Sequence, residues 1–193
     1  VDTVRFRMPI YKTNQWLRSQ KTPHLYKLTM YSKLGQMMTD YIPIKLCFGD
    51  TRFDGERLLR NGKEFKIKAA RYNAEKSRTQ TLKDLRALKA RGVNTIYVDY
   101  PQAYWFYNQC EQVGLFVVDQ ANLNVERGRD QRTIGGTPSN DPSLVDEYVD
   151  RVRRMYRRNR NRTCIIAWSL GGNSGNGYAM YKAYQWLKAQ GDE

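Results

Sequence analysis

With 193 residues, 40% of them hydrophobic and 12% aromatic, the chain has material for one substantial core and falls outside the disordered class. No apolar run approaches a membrane span, and the N-terminus carries no apolar stretch of the signal-peptide kind. The formal net charge of +14 favours acidic partners such as nucleic acid, anionic lipid or acidic polysaccharide, yet no nucleic-acid motif accompanies it.

Residues 1–7 alternate like a strand, so the chain opens inside folded structure, as a piece of a longer protein would. Residues 25–31 form a second strand, a turn signal follows at Lys33-Leu34-Gly35-Gln36, and residues 37–48 read as a third. Pro43 places a bulge or an edge there, because it cannot donate to a ladder. Asp54-Gly55 and Asn61-Gly62 are hairpin turns. Cys47, Cys110 and Cys164 are an odd number with no metal-like spacing. Cys47 and Cys164 sit in apolar runs and read as small core residues, which leaves the redox compartment open.

From Phe65 the period changes. Residues 65–70 read as a strand, and residues 79–91 as a helix with Leu82, Leu85 and Leu88 on one face and Gly92 behind it. A strand at 94–98 precedes a helix at 103–113 closed by Gly114, and 115–118 is a continuous apolar strand of the kind buried on both faces. After a long polar loop, Asp141-Pro142 opens a helix running to Arg158, with Pro142 at the first helical position behind an Asp cap. A strand at 164–168 and a helix at 178–189 complete the order. Four β-α units in succession mean parallel strands with right-handed crossovers. They make either half of an eight-unit barrel or a small doubly wound sheet, and periodicity does not separate the two. The Gly171-Gly172 and Gly175, Gly177 run lacks the Lys-Ser/Thr of a phosphate loop, so no nucleotide and no cofactor is expected.

Particular blocks carry a resemblance. Asn14-Gln15-Trp16-Leu17 with Thr22-Pro23-His24-Leu25-Tyr26-Lys27-Leu28 is similar to "LWS…PNLYxL". Residues 58–68 resemble "LLINGKPxxIKG", and residues 114–122 resemble "GLYVVDEAN". Residues 151–161 are similar to "RVxRMVxRDRN", and residues 164–175 to "VIIWSLGNESG". In this order and near this spacing, the blocks resemble glycoside hydrolase family 2, the β-galactosidase family. The resemblance implies an α/β fold: a partial (β/α)8 TIM barrel of about four βα units, preceded by antiparallel β-sandwich strands. Residues 1–60 would be the end of an immunoglobulin-like domain and 61–193 the first half of the barrel. The implied activity is hydrolysis of O-glycosidic bonds in β-glycosides, galactosides among them.

The same resemblance predicts lost chemistry. Retaining glycosidases need two carboxyl groups, a proton donor and a nucleophile. Asn173 stands at the family's acid/base Glu, and an amide cannot donate and recover a proton near neutral pH. The family's nucleophile lies near the end of the seventh barrel strand, beyond the four units expected here. Gly172 stands where the family has an Asn contacting the sugar 2-hydroxyl. Asn73 falls in the stretch matching "NRHEH", and Asp99 replaces the His of "SHYP". Asn124 and Glu126 occupy positions that supply metal ligands in some relatives, so no metal is expected. Asn73, Asp99, Gly172 and Trp168 are therefore the candidate substrate-binding positions, with Asn173 at the catalytic one.

Alternatives stand beside these. Asp99, Asp119 and Glu126 are either a remnant sugar or cation site or loop carboxylates paired with Arg, and Asp119 also reads as structural. Trp168 either stacks on a pyranose or belongs to the core. The basic run 151–162 is either a solvated helix face ending in a basic last turn or, as a second functional class, a site for acidic glycan or nucleic acid through Arg153, Arg154, Arg157 and Arg158. Four barrel strands leave two open edges, to be covered by the missing barrel half or by a second copy. The partners implied are thus a β-glycoside, if binding is kept, and that covering chain; no membrane partner is expected.

Overall fold

The computed structural model describes residues 5–9, 11 and 24–191. The block at 14–17 lies outside these residues. So does part of the strand expected over 1–7, and the described remainder, 5–7, is in no strand. The first half is antiparallel. β1 (Tyr26–Leu34) and β2 (Met37–Leu46) form a hairpin around Gly35. Alternation puts Leu28 and Met30 opposite Ile44 and Ile42 on one face, with Lys27 opposite Lys45 on the other. Pro43 sits opposite Thr29 in this two-stranded ribbon, so it takes the edge alternative; the register shift lies at Ser32/Lys33. β3 (Thr51–Asp54), β4 (Arg57–Arg60) and β5 (Lys63–Glu64) make a second small sheet, turned at the two expected dipeptides.

The second half alternates: β6 (Ala69–Arg71), α1 (Arg78–Ala90), β7 (Thr95–Tyr97), α2 (Tyr104–Val113), β8 (Phe116–Gln120), α3 (Val145–Asn159), β9 (Ile165–Ser169) and α4 (Tyr178–Lys188). The strands lie parallel in the order β6-β7-β8-β9. Right-handed crossovers that always step the same way put every helix on one face of the sheet, whereas a doubly wound sheet reverses direction and covers both. The order therefore decides for the half-barrel. Ser77 caps α1 by accepting from the Gln80 amide at 3.3 Å, and α2 ends at Gly114, whose φ of 81° turns the chain through the left-handed region. Asp141 caps a 3-10 turn at Pro142–Leu144, and α3 proper starts only at Val145.

β6 is later and shorter than the expected strand at 65–70. The Asn94 side chain donates to the Lys66 carbonyl (2.8 Å) and accepts from the Lys68 amide (2.8 Å), so it replaces ladder partners there. Phe65 instead buries its ring against Phe116, with centroids 5.0 Å apart. Arg60 lies 5.1 Å over the same Phe116 ring, and the Thr163 hydroxyl donates to the Cys47 carbonyl at 2.6 Å. The antiparallel layer thus docks on the N-terminal ends of the parallel strands and leaves their C-terminal ends uncovered.

One core lies between the sheet, α1 and α2, with Leu85, Ile96, Phe106 and Val117 inside it. A second lies under α3 and α4, around Val152, Met155, Ala179 and Ala183. The three cysteines are buried free thiols. Among the described residues β6 and β9 each pair with one strand only. The central β7 and β8 are mostly buried, while β9 is half-buried along its whole length. A groove of about 670 Å³ runs along β9 between the small sheet and α4.

Candidate functional site

Side chains on a strand alternate between faces, and β8 shows what this does at the site. Asp119 turns toward the helices. It accepts from Tyr107 of α2 (2.8 Å) and from Asn159 of α3 (2.7 Å), fully buried. Burial pushes its carboxyl up to about 6, against the opposing hydrogen bonds from Asn159 and Tyr107. Gln120, the next residue, turns the other way, to the uncovered strand ends. It accepts from the Tyr97 hydroxyl and from the Ser169 hydroxyl (3.0 Å), and its amide donates to the Asp99 carbonyl (2.8 Å).

These groups belong to a polar crown on the strand ends. At its β6–β7 side, Asp99 accepts from Arg71 (2.7 Å) and from Asn73 (2.7 Å), while Asn73 accepts from the Asp99 amide (3.0 Å). Partial burial works to raise the Asp99 carboxyl, but the hydrogen bonds from Arg71 and Asn73 and the Arg71 charge outweigh it and hold the group below its ordinary value. At the β8–β9 side the two loops run alongside each other. The Gly172 amide donates to the Leu123 carbonyl (2.9 Å), and Asn124 and Gly172 form an isolated parallel bridge. Ser174 accepts from the Val125 amide (3.2 Å) and donates to the Gly172 carbonyl (3.0 Å). Asn173 follows at the rim, exposed, with a left-handed backbone at φ 44°.

The chain matches the model of "Glycosyl hydrolases family 2, TIM barrel domain" over residues 53–193. It belongs to glycoside hydrolase family 2. The β-galactosidase of Psychromonas ingrahamii is 30% identical over 204 residues, covering 97% of this chain and 18% of that protein. The β-galactosidase of Erwinia tasmaniensis is 31% identical over 204 residues, covering 98% of this chain and 19% of that protein. The chain therefore spans about a fifth of the length of these relatives. The β-glucuronidase of Bifidobacterium dentium, solved with coumarin-3-O-glucuronide, superposes with a TM-score of 0.71 at 19% identity, over 94% of this chain and 29% of that one. That likeness shows the fold.

In this family-2 barrel the candidate positions separate. Asn73, Asp99, Gly172 and Asn173 all lie on the crown, at the ends of β6, β7 and β9. Trp168 does not. It sits one residue before Ser169 and so faces the helices, edge-on to Tyr156 of α3 with ring centroids 5.4 Å apart. Trp168 is half-buried and packs against the second core, as the core alternative expects. Asn124 and Glu126 are both exposed. They offer one carboxylate and one amide, which does not fit a divalent cation that takes several charged oxygen ligands. Among the described residues no three His, Cys, Asp or Glu side chains cluster as a metal site.

Several of the basic residues on α3 are engaged by the scaffold. Arg153 pairs with Asp150 at 2.5 Å, Arg154 pairs with the same carboxylate, and Arg158 donates to the Gln102 carbonyl. Sequence reasoning missed Tyr97, Gln120, Ser169 and Arg71 as crown members. The signal was available as parity: Gln120 stands one position beyond Asp119, so it faces the opposite side of the sheet.

Proposed function

We propose that this chain is a family-2 half-barrel that keeps the sugar-facing crown of a β-glycosidase and does not hydrolyse glycosides. One observation carries the reading: the acid/base position is Asn173, an amide on a left-handed backbone. General acid catalysis needs a group that holds a proton near neutral pH and reaches the leaving oxygen. Asp99 reaches the crown, but Arg71 and Asn73 keep it ionised. Asp119 has the raised value suited to a proton donor, but it faces Tyr107 and Asn159 on the far side of the sheet. Of these two carboxyl groups Asp99 has the position and Asp119 the raised value, and neither has both.

The test is turnover of aryl β-galactosides and β-glucuronides by the purified chain. The expected result is no release above buffer. Clear release that disappears in Asp99→Asn or Glu126→Gln would overturn the proposal. The net charge of +14 supports a second reading, binding of an acidic glycan or nucleic acid on the α3 face. It predicts an affinity that falls steeply with salt and with Ala at Arg154 and Arg157.

A further inference from the structure

We infer that Gln120 is the specificity-determining residue of the crown, because its amide fills the space from which a side chain at position 172 would reach a ligand. The inference rests on the proposed reading of the crown as the sugar-facing end. A Cβ built on Gly172 meets Gln120 Nε2 at 3.0 Å and Oε1 at 3.2 Å. Gly172 does not have a left-handed φ, so its backbone conformation does not demand glycine there. Its neighbour does. Whether a side chain fits at 172 depends on whether Gln120 can move aside, and Gln120 is 1% exposed and held at both ends of its amide. The oxygen accepts from Tyr97 and Ser169, and the nitrogen donates to the Asp99 carbonyl.

These three partners tie β7, β8 and β9 together at their C-terminal ends. Moving the amide takes the acceptor from two hydroxyls, which keep only contacts of 3.4 Å to each other and from Ser169 to the Gly171 carbonyl, and takes the donor from the Asp99 carbonyl. A side chain at 172 therefore requires the held Gln120 amide to give by a few tenths of an ångström at the Cβ alone. The Gly172 state is a repacking rather than a simple deletion: the hydroxyl-binding place is occupied from within by a neutral, satisfied amide. A neutral monosaccharide would have to displace that amide to be recognised.

The experiment is a double-mutant cycle on the chain as it stands. Gly172→Asn, Gln120→Ser and the combined variant are unfolded in urea, and each is melted with and without D-galactose in large excess. Gly172→Asn alone is expected to lower the folding equilibrium constant about tenfold, as overpacking does. In the Gln120→Ser background the same change should cost no more than about twofold. The combined variant should gain a galactose-dependent rise in Tm that the unaltered chain lacks. Equal cost of Gly172→Asn in both backgrounds overturns the packing argument. Coupling without the gained rise overturns the assignment of specificity to Gln120. Failure of the inert reading would register elsewhere, as turnover by the unaltered chain, so the two outcomes are distinct.

Discussion

Asp119 and Gln120 are neighbours on one strand, yet they belong to regions with different surroundings. The helix-facing side of the sheet carries Val117 and Asp119 of β8 and Met155 of α3, which lie in the blocks resembling the family, and Asp119 is buried and paired there. The crown at the strand ends carries the departures from those blocks: Asp99, Gln120, Asn124, Gly172 and Asn173. What separates the two regions is what the fold asks of each. A helix-facing polar group is sealed from water and must be satisfied by the chain itself. Asn124 and Asn173 on the crown are exposed and can change at little cost, whereas Gln120 is buried there and bonded at both ends of its amide.

If that comparison is right, the largest losses come from the helix-facing side. Arg162 and Glu111 form an ion pair at 3.3 Å with side chains only 7% and 3% exposed. Arg162 also donates to Asn108 (2.6 Å) and lies 3.7 Å over the Tyr104 ring. Burial raises the Glu111 carboxyl and the Arg162 charge works against that rise. Arg162→Met strands the carboxylate, and urea unfolding should report a loss of about 3–5 kcal/mol. Adding Glu111→Leu removes the stranded charge and should recover most of it. A single variant that costs under about 1 kcal/mol would break the contrast between the two regions.

A change of similar size, but dependent on pH, should come from Asp119. Its carboxyl titrates at about 6 in the folded chain against an ordinary 3.8, because burial disfavours the charged form. An acid with a raised folded value binds its proton more tightly when folded. The stability this supplies is present at acid pH and lost as pH rises from about 3.8 through about 6. The gap corresponds to about 3 kcal/mol. Asp119→Asn removes the titration. The Asn159 Oδ1 has no hydrogen-bond partner among the described residues, so its amide can turn to accept from the new one. Relative to the unaltered chain, the variant should gain stability between pH 4 and pH 7. Measuring the difference cancels carboxylates such as Asp99 and Asp150, whose lowered values act in the opposite direction.

Much of the fold was legible because it is periodic. The Leu82, Leu85 and Leu88 stripe, the Gly114 stop and the Asp54-Gly55 turn are each set by a few adjacent residues, and each appears where expected. Periodicity left the choice between half-barrel and doubly wound sheet open, since it depends on strand order, but the family blocks pointed to the half-barrel that the order β6-β7-β8-β9 bears out. The strand at 65–70 was misplaced because Asn94, distant in sequence, takes over its ladder groups. At the site, motif positions located Asp99, Gly172 and Asn173, but their partners come from other strands. Gln120 touches Tyr97, Ser169 and Gly172 only once β7, β8 and β9 are in register. Trp168 was left open for the same reason: its face follows from the register of β9, which a one-residue slip reverses.

The smallest expected effect concerns Asn173 itself, and it sharpens the comparison at the crown. Its φ of 44° lies in the left-handed region, which Asn tolerates and longer side chains resist. Asn173 is exposed, so packing contributes little and backbone preference dominates. Asn173→Glu, which restores the family's carboxylate, should therefore destabilise by about 1 kcal/mol, while Asn173→Gly should stay within about 0.5 kcal/mol of the unaltered chain. Both are read from urea midpoints at constant slope. A Glu that costs nothing would mean that the loop relaxes out of the left-handed region and that the crown still suits an acid at this position. A cost confined to Glu would mean that the backbone has adapted to the amide, so that recovering the acid requires reshaping the turn after β9 as well as changing the side chain.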